Sequence, residues 1–338
     1  MRATCLCREW ARKSIAGFAR LLSIARHAIA ARPKVNFMLP SQDSEAQVTA
    51  LIIVGSAGLE PWSTIERLGQ EPTWAAEQVP GAHIVWMEAD SRRDSSWFLR
   101  KLDAFGARRY DAFRTHYNLR DVRGVRDFLL SWIINRVVRI AIGRPGAEPI
   151  PLGAGRRIRF PYPSLYHLAP LRSAAYLRYA LENFEFDFLL RVTSTCYVDI
   201  PQLMRFLGTA QRNGLYAGDV YTKRKVPFVG GAAILFSRDV VRRLVDNEES
   251  MRLDVHEDVS YGELLSRRGI AQPTQIGRVD ASGKPMREIV KPPSVSGLPF
   301  VYRCKVAETW TDRSEPVVSL LFDVHKSIVR ARGRRGPG

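Results

Sequence analysis

The 338-residue sequence predicts an α/β fold in a single domain, on three observations. "VTALIIVGSAG" (48–58) reads as a buried strand that runs into a Gly-containing loop. "AHIVWMEAD" (82–90) reads as a second strand ending in acids, with "PWSTIERLGQEPTWAAEQ" between the two as helix and turn. "FDFLLRVTSTCYVDIPQLMRFL" (186–207) opens as a third buried strand, crosses a polar loop at Thr193-Ser194-Thr195, and closes as a helix. Layers of this kind place ligands beyond the carboxyl ends of the strands.

Taken in order, the chain divides into a basic N-terminal segment (1–47), the α/β domain (48–325) and a basic disordered tail (326–338). The first segment contains "SIAGFARLLSIARHAIAA", whose apolar run is broken by Arg20 and Arg26 and so suits neither a membrane span nor a signal peptide. As a helix it is amphipathic and basic, which fits the surface of an anionic membrane. Two plainer readings stay open: a helix docked on the body, or an overlong start, since Met38 begins a plausible shorter chain.

Within the domain, residues 91–142 are rich in Arg and aromatics, with "VRDFLLSWIINRVVRIAI" as an apolar helix. Residues 143–167 form a long loop dense in Gly and Pro, and "LAPLRSAAYLRYALENF" is the helix that delivers the chain to the third strand. The single Gly55-x-x-Gly58 pair is too weak to mark a dinucleotide site.

Composition narrows the function classes. Hydrophobic residues at 46 % and charged residues at 25 % are ordinary for a globular core. Cys5, Cys7, Cys196 and Cys304 show no zinc spacing, which fits a reduced, cytoplasmic chain. The net charge of +17 sits largely at the ends: residues 1–34 hold eight Lys/Arg against Glu9, and residues 326–338 hold five with no acid. The body is left at about +5, so no nucleic-acid partner is expected.

The chemistry-bearing blocks follow from residue 184. Asp199, directly before Ile200-Pro201, is placed to cap the helix, with Pro in the first turn where a missing N–H costs little. "GLYAGDVY" (214–221) is the next strand, and "YTKRKVPF" brings Lys223, Arg224 and Lys225 together as a charged turn. In "VPFVGGAAILFSRDVVRRLVDN" (226–247), Gly230-Gly231 either admits a close approach of a ligand or forms a bulge. Ser237 with Asp239 is expected to cap the helix that follows. "VHEDVSYGELLSRRGI" (255–270) sets His256, Glu257 and Asp258 at the start of a helix, where capping explains one acid but not both. No GxSxG and no phosphate-binding P-loop is present.

In this order the four blocks resemble the inverting β-1,3-galactosyltransferase and fringe-like glycosyltransferases. The resemblance spans about residues 184–270 and, more loosely, 48–305. It implies a GT-A type fold, a nucleotide-sugar-binding mixed sheet flanked by helices. It also implies transfer of a sugar, UDP-linked in this family, to a hydroxyl of a glycan or lipid-linked acceptor with inversion. The catalytic base maps onto Asp258, with Glu257 as its neighbour or alternate, since such a transfer needs a carboxylate to take the acceptor's proton. Donor binding maps onto Thr193, Ser194, Thr195, Arg191, Lys223, Lys225, Gly230 and Gly231.

The chain departs from the family at 193–195. There the family carries carboxylates that hold Mn²⁺ or Mg²⁺ against the leaving diphosphate, whereas hydroxyls are poor sole ligands for a hard cation. Tyr302 stands where family members place a His. Three outcomes stay open: metal-free transfer with Arg191, Lys223, Arg224 and Lys225 supplying positive charge; recruitment of acids or imidazole elsewhere (Asp187, Asp199, Asp219, His256); or lost catalysis in a protein that only binds a glycan or nucleotide-sugar.

Overall fold

The computed structural model describes residues 49–90, 149–152, 156–164, 168–223, 226–253, 255–284, 300–306 and 314–333. All belong to one compact unit, Ser44–Gly338. The N-terminal segment 1–47, the helix "VRDFLLSWIINRVVRIAI", residues 143–148, 153–155 and 165–167 of the loop 143–167, Arg224 and Lys225 lie outside the described residues.

The architecture is mixed α/β. The strands are β1 (Ala50–Ser56), β2 (Ala82–Ala89), β3 (Ile150–Leu152), β4 (Arg157–Phe160), β5 (Phe188–Thr193), β6 (Cys196–Val198), β7 (Tyr216–Lys223), β8 (Val226–Ser237), β9 (Pro273–Gln275), β10 (Arg278–Asp280) and β11 (Val301–Arg303). Eight form one sheet in the order β3-β4-β2-β1-β5-β8-β7-β9, and β10-β11-β6 form a second. β1 pairs in parallel with both β2 and β5, and β2 with β4, so four carboxyl ends share one edge. β8 runs antiparallel to β5 and starts beyond that edge.

The ALIIVGS run explains the centre. A parallel strand covered on both faces is apolar at successive positions, and β1 is buried almost throughout. Its alternate side chains feed two core layers. Ile52 and Val54 join Leu190, Val192 and Leu235 on one side. Leu51 and Ile53 join Leu189, Ile234 and Phe236 on the other.

Among the described residues, six helices cover these layers: α1 (Trp62–Ile65), which continues as a π-helical turn Glu66–Gln70, α2 (Ala169–Asn183), α3 (Ile200–Leu207), α4 (Arg238–Asp246), α5 (Glu257–Arg267) and α6 (Ser314–Gly333). None of the described helices is long and apolar enough to cross a membrane.

α6 corrects the expected tail. Residues 326–333 continue the helix, because the buried stripe Val317, Leu321, Val324 recurs at Ile328 beneath the basic residues. Arg332 near its end pairs with Glu77 and Asp199 at 2.8 Å each. High positive charge marked the exposed face of a docked helix here, and the apolar period beneath it decided the structure.

Candidate active site

Arg191, the loop Thr193–Thr195, Gly230, Gly231, Glu257 and Asp258 gather at the carboxyl edge of the parallel strands, whereas Asp187 lies at their amino end beside Thr49. On one side lies the loop after β5. Its central residue, Ser194, is buried and donates its hydroxyl to Glu66 Oε1 at 2.6 Å. Glu66 is fully buried, at 0 % exposure, in the π-helical turn. Four residues on, Gln70 Nε2 donates to the carbonyls of Thr193 (3.2 Å) and Cys196 (3.1 Å), and Trp86 Nε1 donates to Gln70 Oε1 at 3.4 Å. The π turn thus grips the loop by a side chain and by its main chain. The two outer hydroxyls, Thr193 Oγ1 and Thr195 Oγ1, lie 3.3 Å apart.

Glu66 is not alone. Arg157 on β4 donates to it at 3.2 Å, also pairs with Glu71 and Glu88, and lies 5.2 Å over the Trp86 ring. Burial pushes the Glu66 carboxyl above its ordinary value, against hydrogen bonds from Ser194 and Ser56 and the charge of Arg157.

These partners bear on a divalent cation. The acid that touches the hydroxyl loop is already bound to Ser194 and Arg157, and no group of three His, Cys, Asp or Glu suited to a metal occurs among the described residues. Asp199 caps α3 by accepting from Gln202 N–H at 3.0 Å and pairs with Arg332. Asp187 accepts from the Thr49 N–H at 2.8 Å, and Asp219 accepts from Tyr221, Gln275 and Arg278. The described side chains do not fit Mn²⁺ or Mg²⁺.

The other side of the edge is built on Gly230-Gly231 and the start of α5. Asp258, in the first turn, accepts from the Gly231 N–H at 2.9 Å through Oδ2 and from the Val259 N–H at 2.8 Å through Oδ1. A Cβ on Gly231 would stand 3.3 Å from Oδ2. Glu257, the preceding residue, is buried and pairs with Arg191 of β5, whose guanidinium also donates to the Gly231 carbonyl. Burial would pull the Arg191 guanidinium down, but the charges of Glu257 and Asp258 outweigh it and hold the group above its ordinary value. Gly55 lies alongside it, and a Cβ there would meet Arg191 Nε at an ordinary contact distance of 3.6 Å. Burial pushes the His256 imidazole below its ordinary value, with Asp258 acting against that.

The glycine pair combines a bulge with close packing. A Cβ on Gly230 would meet the Tyr221 ring at 2.7 Å, and one on Gly231 would meet Asp258. Between the pairs Gly218–Ile234 and Val220–Val229, β8 sets residues 230–233 opposite Asp219 alone, so the glycine pair lies in a bulge of β8. Lys223 closes β7. Tyr302 is buried on β11, its ring 6.1 Å from that of Tyr197.

The expected Ser237 and Asp239 cap does something else. Ser237 Oγ accepts from the Leu215 N–H (2.9 Å) and donates to Asp239 (2.5 Å), which itself accepts from the Gly214 N–H (3.0 Å). The pair fastens the entry of β7 and makes no side-chain cap on α4. Glu66, Gln70 and Arg157 carry no local signal in the sequence, where "PWSTIERLGQEPTWAAEQ" reads only as helix and turn.

No family model and no curated protein matches the chain. Among solved structures it is similar to the apo-form glycosyltransferase GlyE of Streptococcus pneumoniae, with a TM-score of 0.36 and 8 % sequence identity. The similarity covers 84 % of this chain and 64 % of that one.

Proposed function

We propose that the protein is an inverting glycosyltransferase that moves a sugar from a UDP-sugar to a hydroxyl of a glycan or lipid-linked acceptor. The observation that carries this reading is Asp258, a half-buried carboxylate fixed by two backbone N–H groups beside Gly231. Both of those bonds are to N–H donors, and a carboxylate oxygen has further lone pairs for an incoming hydroxyl. In this reading Asp258 takes the acceptor proton as the oxygen attacks the anomeric carbon. The bond from that carbon to the diphosphate oxygen breaks, and the nucleotide leaves as UDP.

Glu257 and Arg191 hold the segment in place, being committed to each other and to Gly231. Lys223 and Lys225 supply positive charge toward the leaving diphosphate, alongside the hydroxyls and main chain of Thr193, Ser194 and Thr195. Residues 1–47 hold the protein against the inner face of an anionic membrane, where a lipid-linked acceptor would lie.

The test is a panel of UDP-sugars assayed for hydrolysis and transfer by wild type and Asp258→Asn, in EDTA and with added Mn²⁺. Loss of general-base help lowers the rate by roughly 10²–10⁴-fold. Activity that survives EDTA and falls in Asp258→Asn supports the reading. Activity abolished by EDTA and restored by Mn²⁺ refutes the metal-free route, and a β-to-β or α-to-α product refutes inversion.

A second reading, a non-catalytic glycan- or nucleotide-sugar-binding protein, is favoured by the inward turn of Ser194 onto Glu66. It gains if wild type and Asp258→Asn are equally inert while UDP still binds.

A further inference from the structure

Tyr221 stands out among the exposed side chains. It is 44 % exposed, yet held at both ends. Its hydroxyl donates to Asp219 Oδ2 at 2.7 Å and accepts from Arg278 Nη2 at 3.2 Å. Its ring rests on Gly230 and stacks on Phe228, with centroids 5.9 Å apart. An exposed tyrosine ordinarily samples several rotamers, whereas this one is fixed before any ligand arrives, which lowers the entropy lost on binding.

The anchors of the ring have a second use. Gln275 and Arg278 both bond Asp219, and Arg278 also pairs with Asp280 at 3.3 Å. The Arg278 side chain is only 6 % exposed, and its Nε is buried without a hydrogen-bond partner. Asp219 and Arg278 form the charged wall of a small hollow whose remaining lining includes Ile276, Phe300 and Val301. Its enclosed space of about 20 Å³ is water-sized, so a sugar ring would lie on the exposed Tyr221 face rather than inside the hollow.

An aromatic face flanked by a carboxylate and a guanidinium is the chemistry that recognises a pyranose. The C–H-rich face of the ring packs on the phenol, and the ring hydroxyls exchange hydrogen bonds with the charged pair. Position adds to this. Gly230 lies under Tyr221 and the next residue, Gly231, holds Asp258, so the platform adjoins the proposed base.

We propose that Tyr221, with Asp219 and Arg278, is a sugar-binding subsite on the acceptor side of the reaction, taking a single pyranose ring. The assignment to the acceptor side rests on the glycosyltransferase reading. Sugar binding at Tyr221 does not.

Saturation-transfer NMR on the full chain tests it, with UDP as one probe and methyl β-galactoside, methyl β-N-acetylglucosaminide and methyl α-mannoside as the others. Wild type is expected to saturate the ring protons of at least one glycoside. Tyr221→Phe keeps the aromatic face and retains the signal, and Tyr221→Ala weakens binding about tenfold. Gly230→Ala, which displaces the ring without removing it, also weakens binding and serves where Tyr221→Ala does not fold. Saturation that persists unchanged in Tyr221→Ala and Gly230→Ala, or no saturation of any glycoside by wild type, overturns the subsite. If UDP gives no signal while glycoside binding depends on Tyr221, the subsite stands and the transferase reading falls.

Discussion

Ser194 and Glu66 lie 128 positions apart in sequence and are joined by a 2.6 Å hydrogen bond in which the loop supplies the hydroxyl and the scaffold supplies the acid. The carboxylate expected on the loop after β5 is therefore replaced by an inward-facing donor, and the acid it meets is internal and balanced by Arg157. Ser194→Ala removes the donor and leaves a buried acceptor short of a partner, which costs about 1–3 kcal/mol. Urea unfolding at neutral pH measures it, and a loss below 0.5 kcal/mol, on the order of a neutral surface change, would count against the bond.

The same carboxyl sets a pH dependence. Burial raises its affinity for a proton in the folded state above the ordinary value of 4.5. Folding then takes up a proton between the ordinary and the raised values, so this contribution to stability falls as pH rises through that window. Glu66→Gln carries no titrating proton, and its stability relative to wild type should improve as pH rises from 4.5 toward neutrality. A difference between the two that is flat with pH rejects this assignment.

Arg191 and Glu257 should behave as a unit. Both side chains are largely buried, at 13 % and 8 % exposure, so removing one strands the other's charge. Arg191→Met is expected to cost about 3–5 kcal/mol. Arg191→Met with Glu257→Gln should recover part of that loss, read as a positive coupling in a double-mutant cycle. Additive losses would show that the two act independently.

Gly262 offers a test of sign. It lies within α5, where replacing Gly by Ala gains about 1 kcal/mol of helix propensity. A Cβ there would stand 2.3 Å from Phe228 Cβ and 2.9 Å from the Pro227 carbonyl oxygen, so the helix would be pushed off β8. Gly262→Ala should destabilise by about 1–3 kcal/mol, as overpacking does. A variant that gains stability would mean that α5 does not pack this closely on the strand.

What the sequence disclosed was local. The buried run of β1 and the Asp199-Ile200-Pro201 cap depend on residues within a few positions of one another, and both stand as read. The Ser237 and Asp239 expectation was local too, but Gly214 and Leu215 compete for the same oxygens from more than 20 positions away and win. The partners of Glu66 and Arg191 were invisible for the same reason. A buried acid and a surface acid look alike until the chain brings a serine or an arginine to them. In the tail, the charge pattern and the apolar period pointed in different directions, and burial of Ile328 prevailed.

α6 has a consequence for how the domain is made. It is synthesised after every other described element, yet it buries Tyr197 through a 3.0 Å contact with His325 and completes the Asp199 pairing through Arg332. Its Leu321 also seats on Gly69, within the turn that grips the Thr-Ser-Thr loop. On the ribosome, both supports of that loop wait for α6 to emerge, so the nascent chain carries an unfinished site until it does.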